Sequence, residues 1–295
     1  MENIGFVGIG TMGSRMLKNV LKAGYPVYTY DILPSAQEYA ASVGATPLNS
    51  SKEVAECCNI VITMVPTFRE VEDVVFNEKG LLKGFRKGSM LIDMTSSLPE
   101  STRKTEARLR EQGIAMIDAP VSGGSLGAEK GTLSIMIGGE DENIERAMPI
   151  LQTMGTNLTK VGTIGMGHTA KAINNMLFGT TLVAACEALT LGAKEGIDIG
   201  TLIEIMQHSS GQCYSVNKIK NFALQDNFKP GFSLDLLVKD VRTAFAIGES
   251  LNVPMPVSHA AKEFLMIGQN RGWGKDDNTK MILLSEEQSG THVSL

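Results

Sequence analysis

The sequence predicts an α/β domain with a mostly parallel sheet, followed by an all-α domain, with one long helix linking the two. Three observations support this prediction. Short apolar runs alternate with helical patterns up to about residue 160, which is typical of βαβ units. A glycine-rich segment directly follows the first apolar run, and the strand patterns stop after Gly167. We therefore place one domain at residues 1–164 and the other at residues 165–295.

The composition is that of a chain with a large hydrophobic core. Of its 295 residues, 43% are hydrophobic and 20% are charged, so disorder is not expected over most of the length. The net charge is -5 and the basic residues do not cluster, which argues against nucleic-acid binding. No apolar run approaches the length of a membrane-crossing helix, and the N-terminus lacks the pattern of a signal peptide, so a cytoplasmic location is expected. The cysteines and histidines lack the spacing of metal ligands, and we expect no metal site.

Each strand of the first domain is predicted from a short apolar run bounded by turn residues, and each helix from apolar positions at helical spacing. The predicted strands are Asn3–Gly8, Val27–Tyr30, Ile60–Val65, Met90–Met94, Ala115–Ala119, Leu133–Ile137 and Leu158–Val161. The predicted helices are Met12–Ala23, Ser50–Cys57, Pro99–Gln112 and Glu142–Met154. Glycine often follows the last helical residue, and helix ends are expected at Gly24, Gly44, Gly113 and Gly155.

The second domain is predicted to be helical throughout. Residues Thr169 to Glu195 contain no proline and many helix formers, so they form one helix of about seven turns. Further helices are expected between the breaks at Gly196, Gly211, Pro230–Gly231, Pro254–Pro256 and Gly272–Gly274.

The glycine-rich segment lies between the first predicted strand and the first predicted helix. Its residues are Gly8, Ile9, Gly10, Thr11, Met12 and Gly13. In that position Gly8 permits a tight turn, Gly10 permits close approach of a pyrophosphate, and Gly13 lets the helix pack on the sheet. The free N–H groups of the helix would bind the phosphates. The alternative is a plain strand-to-helix turn without a ligand.

Asp31 follows the second predicted strand, where a carboxylate can accept hydrogen bonds from the ribose hydroxyls of a dinucleotide and repel a 2′-phosphate. Its neighbours Ile32 and Leu33 supply no arginine for NADP. Without the glycines, Asp31 would be interpreted as a strand-end turn residue. Together, the two features predict a Rossmann-type domain that binds NAD.

Two further segments carry polar residues that need an explanation. The loop Ser122-Gly123-Gly124 can turn backbone N–H groups towards a carboxylate, although alone it would be interpreted as an ordinary glycine turn. Lys171, Asn174 and Asn175 share one face of the long helix. Alone, they would be interpreted as a solvated helix end.

These segments occur in order with Asp118-Ala119-Pro120-Val121 before the loop, Gly165-Met166-Gly167 before Lys171, and Lys239-Asp240 further on. The series resembles the β-hydroxyacid dehydrogenase family, which includes 3-hydroxyisobutyrate and tartronate semialdehyde enzymes and, more remotely, 6-phosphogluconate dehydrogenase. The resemblance extends from Ile4 to about Asp277, and it favours a buried catalytic lysine over a surface one.

The resemblance implies a role for each of these residues. Lys171 would be the general acid/base, with its pKa lowered by burial, and Asn175 would orient the reacting hydroxyl. Ser122, Gly123 and Gly124 would hold the substrate carboxylate, and Lys239 would close over cofactor and substrate. Further cofactor contacts are implied for Val65, Pro66 and Ser96. The sequence departs from the family pattern at Arg15 and Glu70, and Glu70 is not counted as a ligand.

The expected function is an NAD-dependent oxidoreductase. It would transfer a hydride between NAD and the terminal alcohol of a small β-hydroxy acid, either 3-hydroxyisobutyrate-like or tartronate semialdehyde/glycerate-like. The alternatives are an imine or keto-acid reductase on the same scaffold and a non-catalytic NAD-binding redox sensor. A homo-oligomer, dimer or tetramer, is expected from the long helix and the apolar C-terminal half.

Overall fold

The chain folds into a sheet-containing unit, Met1–Lys171, and a helical unit, Ala172–Leu295, in a computed structural model that describes residues 1–295. The strands are β1 (Ile4–Val7), β2 (Val27–Tyr30), β3 (Thr46–Pro47), β4 (Ile60–Thr63), β5 (Met90–Asp93), β6 (Ala115–Asp118), β7 (Val121–Ser122), β8 (Leu133–Gly138) and β9 (Gly155–Gly162). The helices of the first unit are α1 (Gly13–Lys22), α2 (Pro34–Ser42), α3 (Ser51–Cys57), α4 (Phe68–Phe76), α5 (Pro99–Arg110), α6 (Gly124–Lys130) and α7 (Asp141–Leu151). Helix α8 (Met166–Glu195) continues into the second unit, which also contains α9 (Ile199–Gln207), α10 (Tyr214–Asn221), α11 (Leu234–Ser250), α12 (Pro256–Asn270) and α13 (Ile282–Ser289).

The nine strands form one sheet in the order β3-β2-β1-β4-β5-β6-β8-β7, with β9 beside β8. All neighbours from β3 to β6 are parallel, whereas β8 runs antiparallel to β6 and β7. The chain leaves β1 towards β2 on one side and later returns to β4 on the other side. Ligands of open α/β sheets bind at such a reversal, outside the carboxyl ends of the strands.

Both faces of the sheet are buried. Alternate residues along β4 and β5 point to two different apolar clusters, so that Ile60 and Ile62 lie in one cluster and Val61 in the other. A parallel sheet covered on both faces has strands that are apolar throughout, which is why these strands were readable as continuous apolar runs. The predicted fold class, a Rossmann-type domain followed by a helical one, is confirmed.

The structure also contains elements for which the sequence analysis gave no bounds: β3, β7, α2, α4 and α6, of which only α2 had an expected end, at Gly44. The two strands have only two residues each, which is too short for a pattern. Helix α2 buries one residue, Ala40, so it has no apolar stripe, and α6 is a seven-residue helix that contains two glycines. The start of α4 did carry a signal, because Thr67 caps the helix and bonds to Glu70.

One predicted helix end was wrong. Gly155 does not terminate a helix but is the first residue of β9, and α7 already ends at Leu151. A side chain at Gly155 would run into the backbone and the side chain of neighbouring β8, so this glycine allows close strand pairing. Gly24, Gly44 and Gly113 do follow helix ends, all with positive φ.

Helix α8 corrects a second expectation. Its 30 residues and the mean hydropathy of 1.5 over its most apolar stretch meet the length and composition of a membrane-crossing helix, so an apolar run of that length is present. Core helices of soluble proteins have the same properties, and Leu182, Cys186 and Leu189 of α8 lie in the core of the second unit. The run was overlooked because threonine, glycine and alanine separate its large apolar residues. The helix spans the predicted length and continues across Lys171, where the two units divide. The border expected between residues 164 and 165 stays a prediction.

A buried ion pair stabilises the second unit. Lys218 of α10 is only 7% exposed, and its ammonium donates to both Asp277 oxygens, at 2.8 and 3.0 Å, and to Asn278 Oδ1. Asp277 also accepts backbone N–H groups from Gly231, Phe232 and Thr279. Burial lowers the pKa of Lys218, against the raising effect of Asp277. The pair joins α10 to two loops that are distant in sequence.

Removal of the Asp277 carboxylate should destabilise the second unit strongly. Asp277→Ala leaves the Lys218 ammonium buried without its counter-ion, which typically costs about 3–5 kcal/mol. The neighbouring Asp276 pairs with Lys280 at 2.7 Å near the surface, so Asp276→Ala is the matched control and should cost about 1 kcal/mol or less. Urea unfolding of both variants measures the difference, and equal midpoints would contradict the structural role of Asp277.

Candidate active site

The candidate cofactor residues of the first unit lie just beyond the carboxyl ends of its parallel strands. Gly8 follows β1, Asp31 follows β2, Val65 lies shortly after β4, and Ser96 lies shortly after β5. Strands β1 and β4 are neighbours at the reversal of the sheet. The predicted cofactor residues, spread over almost a hundred positions of sequence, thus share one edge of one sheet.

The three glycines of the loop differ in what surrounds them. A side chain at Gly8, where φ is +94°, would collide with the Met64 backbone, and one at Gly13 would collide with the Gly8 carbonyl oxygen. A side chain at Gly10 would meet nothing within 4 Å. Gly8 and Gly13 are therefore required by the fold, whereas the space at Gly10 is available to a ligand.

The start of α1 fits an anionic group. The helix has no side-chain cap and no acidic residue in its first turn. The Ser14 and Arg15 N–H groups donate to the Gly10 and Met12 carbonyls, and the positive end of the helix dipole lies at the loop, where it favours the pyrophosphate of a dinucleotide. Arg15, the departure from the family pattern, donates to the Thr11 carbonyl at 2.5 Å and so lies against the same loop.

Asp31 is held in place by the backbone. Its Oδ2 accepts the Ile9 N–H at 2.6 Å, and its Oδ1 accepts the Leu33 N–H at 2.9 Å. Each carboxylate oxygen keeps a lone pair for a ribose hydroxyl. The half-buried side chain is thereby fixed beside the glycine loop, where a dinucleotide would place its adenosine ribose.

The ends of β4 and β5 are tied together. The Val65 N–H donates to Thr95 Oγ1 at 3.2 Å, which sets the backbone next to Pro66 and Ser96. Glu70, which was not counted as a ligand, lies in the first turn of α4 and bonds to its capping residue Thr67.

The loop Ser122-Gly123-Gly124 leads from β7 into α6. Gly123 and Gly124 have φ of +129° and +62°, a conformation that side-chain-bearing residues avoid. Nothing lies within 4 Å of the position that a Gly124 side chain would take. No side chain caps α6, so the loop presents the free start of a short helix and an open space beside Ser122.

Asp118, at the end of β6, binds the start of α8. Its Oδ1 accepts the Gly165 N–H and its Oδ2 accepts the His168 N–H, both at 2.7 Å. A side chain at Gly167 would come within 2.8 Å of Asp118 Oδ2, so this glycine lets the helix approach the strand. Burial raises the pKa of Asp118, against the lowering effects of His168 and the two N–H donors. This contact places Lys171, on the next turn of α8, relative to the sheet.

Lys171 and Asn175 are buried, with 9% and 3% exposure, whereas Asn174 is exposed. The interpretation as a solvated helix end therefore fits only Asn174. In the second unit, Asn175 Nδ2 donates to Asp240 Oδ2 at 2.5 Å, and Lys239 Nζ lies 3.3 Å from Asp240 Oδ1. Asp240 is thus a buried acceptor that fixes the Asn175 amide and pairs with Lys239.

The sequence analysis missed the roles of Asp240, Asp118 and His168. Asp240 had a signal, since it is the polar residue between apolar positions of α11 that face the core. Asp118 was quoted as part of a motif but given no role. His168 was recorded only as a histidine without ligand spacing, and nothing in the sequence places it near two carboxylates.

Comparison with known proteins agrees with this geometry. The family described as the NAD binding domain of 6-phosphogluconate dehydrogenase matches residues 3–165. The family described as NAD-binding of NADP-dependent 3-hydroxyisobutyrate dehydrogenase matches residues 165–285.

Individual proteins are similar over almost the whole chain. The 2-(hydroxymethyl)glutarate dehydrogenase of Eubacterium barkeri is 36% identical, over 99% of this chain and 97% of its own. A Mycobacterium tuberculosis 3-hydroxyisobutyrate dehydrogenase solved with L-serine is 30% identical with a TM-score of 0.87, over 96% of this chain and 99% of its own. An imine reductase from Myxococcus stipitatus in complex with NAD+ shares the fold at 20% identity and a TM-score of 0.64, over 97% of this chain and 99% of its own.

A methyl group at Gly124 should interfere with substrate and not with NAD. Gly124→Ala places a methyl in the open space of the loop, so we expect a raised KM for the hydroxy acid and an unchanged Kd for NAD. Gly290→Ala is the matched control, because Gly290 has the same φ of +62° and the same open surroundings at the end of α13. Both variants should lose about 1–2 kcal/mol of stability from the backbone conformation. Equal KM values in the two variants would assign the loop to backbone geometry alone.

Asp31 should determine the choice between NAD and NADP. A fixed carboxylate facing a 2′-phosphate should favour NAD in kcat/KM by at least about tenfold, roughly 1.4 kcal/mol. Asp31→Asn removes the charge and should narrow the ratio, measured with both cofactors under one set of conditions. An unchanged ratio in Asp31→Asn would mean that Asp31 only supports the loop.

Proposed function

Because this chain belongs to the β-hydroxyacid dehydrogenase family, we propose that it oxidises the primary alcohol of a short β-hydroxy acid, or reduces the corresponding aldehyde acid, with NAD. Substrates of the 3-hydroxyisobutyrate and the tartronate semialdehyde/glycerate type fit this description. The observation that carries the proposal is the buried Lys171, placed by Asp118 beside the strand end that leads to the Ser122-Gly123-Gly124 loop.

The reaction requires a base for the hydroxyl proton. NAD, when bound, supplies the hydride acceptor. Lys171 would take the proton from the substrate hydroxyl during oxidation and return it during reduction. The neutral amine is the form that can accept this proton. Asn175, fixed by Asp240, would orient the hydroxyl with its second N–H.

The substrate carboxylate requires hydrogen-bond donors in the protein. Backbone N–H groups at the start of α6 and the Ser122 hydroxyl would bind it, and the positive φ of both glycines keeps the space clear. As the family resemblance implies, Lys239 would add a cation. We propose that these contacts select acids over the corresponding amides and esters.

The two alternative functions would use different subsets of these residues. An imine or keto-acid reductase on the same scaffold would not need the Lys171 and Asn175 pair for its proton chemistry. A non-catalytic NAD sensor would use the glycine loop and Asp31 but would leave Lys171 and the Ser122 loop without a role.

A homo-oligomer and a cytoplasmic location without nucleic-acid or membrane partners remain predictions, and light scattering would test the oligomer.

Loss of the Lys171 amine should abolish most of the activity. In Lys171→Ala, kcat should fall by about 10² to 10⁴, the usual contribution of general acid/base catalysis, measured as NADH formation over a panel of β-hydroxy acids. The wild-type oxidation rate should rise with pH through one ionisation, because the neutral amine is required. Lys171→Arg should not restore the rate, since guanidinium stays protonated.

The control for this experiment is NAD binding. The glycine loop and Asp31 follow β1 and β2, away from Lys171 in the sequence, so the Kd for NAD should scarcely change in Lys171→Ala. A folded Lys171→Ala protein with near-normal kcat would remove the lysine from the mechanism, and Lys239 would be the next candidate.

A further inference from the structure

His168 lies between the two strand ends that support the candidate active site. Its ring is 1% exposed, and its Nδ1 is 3.7 Å from Asp118 Oδ2 while its Nε2 is 3.8 Å from Asp93 Oδ2. Asp93 terminates β5 and Asp118 terminates β6. One imidazole therefore faces two buried carboxylates from adjacent parallel strands.

The ring is oriented by α5. His168 Nδ1 is 2.7 Å from Thr102 Oγ1, while Nε2 has no hydrogen-bond partner within the protein. Asp93 is itself fixed by Thr63 Oγ1 and the Thr95 N–H on Oδ1 and by Ser97 Oγ on Oδ2. The unpartnered nitrogen thus points at a carboxylate whose position does not depend on the histidine.

Packing alone does not explain a histidine here. A buried polar atom without a partner costs free energy that an apolar side chain of similar size does not. Asp118 binds α8 through backbone N–H groups, and those bonds are available to any residue at position 168. The imidazole must therefore contribute through its ring and its N–H groups.

Each carboxylate beside the ring lies a few residues before a candidate site residue in the sequence. Asp93 is followed by Ser96, the expected cofactor contact, and Asp118 is followed by Ser122 of the carboxylate loop. Lys171 lies three residues after His168, on the same side of α8, where side chains are neighbours. The ring therefore faces the carboxylates that precede the expected cofactor and substrate loops, and it lies one helical turn before the general base.

We propose that His168 is a positioning residue for Lys171, because it ties the turn of α8 that precedes the amine to the ends of β5 and β6 and offsets the charge of Asp93 and Asp118. This inference rests on the proposed role of Lys171. The charged groups that face the ring are Asp93 and Asp118, and Arg103 of α5 lies close to Gly165 at the helix start. A ring N–H compensates a carboxylate that it faces.

His168→Leu tests the proposal, because leucine fills the space without an N–H group. The misplaced amine should lower kcat by about 10- to 100-fold. Because the turn that holds the amine is then no longer tied to the strand ends, the ionisation in the oxidative pH–rate profile should also move. The Kd for NAD, measured by fluorescence titration, should remain near the wild-type value. Thr102→Val removes the Nδ1 partner together with the bond from Thr102 Oγ1 to the Leu98 carbonyl, and it should shift kcat and the profile in the same direction by less.

Leu109→Ala serves as the control for loss of stability, since Leu109 is buried in α5 but remote from the ring. It should lower the unfolding midpoint and leave the pH profile in place. A merely structural His168 would give the same result as this control: lower stability with unchanged kcat and profile, and that outcome overturns the proposal. Should His168→Leu fail to fold, Thr102→Val decides by the same criteria. Lys171→Ala separates the two hypotheses, because a normal kcat there rejects the base itself, whereas an inactive Lys171→Ala beside a normal His168→Leu rejects only the positioning role.

Discussion

The carboxylate of Asp118 is the interaction on which the arrangement of the candidate active site depends. A buried charge of this kind is tolerable only when hydrogen bonds replace its lost hydration. Two backbone N–H groups at 2.7 Å and the positive end of a 30-residue helix dipole provide that replacement. The position of α8 therefore follows from electrostatics at one strand end, and Gly167 leaves the room that this contact requires.

The sequence predicted those features that depend on local pattern. The parallel strands were recognisable because both faces of the sheet are buried, and the glycine loop was recognisable because its spacing is set by a turn and a helix start. Short elements such as β7 and α6 were not recognisable, since two residues or a glycine-containing turn carry no periodicity. The family of the chain was also readable, because four motifs occur in order along it.

Contacts between distant segments were beyond the reach of the sequence. Asp240 and Asn175 are separated by 65 positions, and His168 and Thr102 by 66, so no spacing rule connects them. Both contacts place a polar group of α8 against a partner on another helix. Adjacent Lys and Asp residues such as Lys239 and Asp240 commonly pair at a surface, whereas burial of Asp240 makes it a fixed acceptor inside the second unit.

The unequal surroundings of the three loop glycines have a genetic consequence. Backbone atoms of the protein occupy the space that a side chain at Gly8 or Gly13 would need. Substitutions at these two positions therefore impair folding and reduce the amount of protein. Gly10 borders empty space, so a substitution there leaves a well-folded protein that has lost room for its ligand. A library scored for expression would therefore reject changes at Gly8 and Gly13 while accepting them at Gly10, and a library scored for growth would reject all three. One short turn thus contains glycines that serve two different purposes, the backbone fold at Gly8 and Gly13 and the ligand space at Gly10.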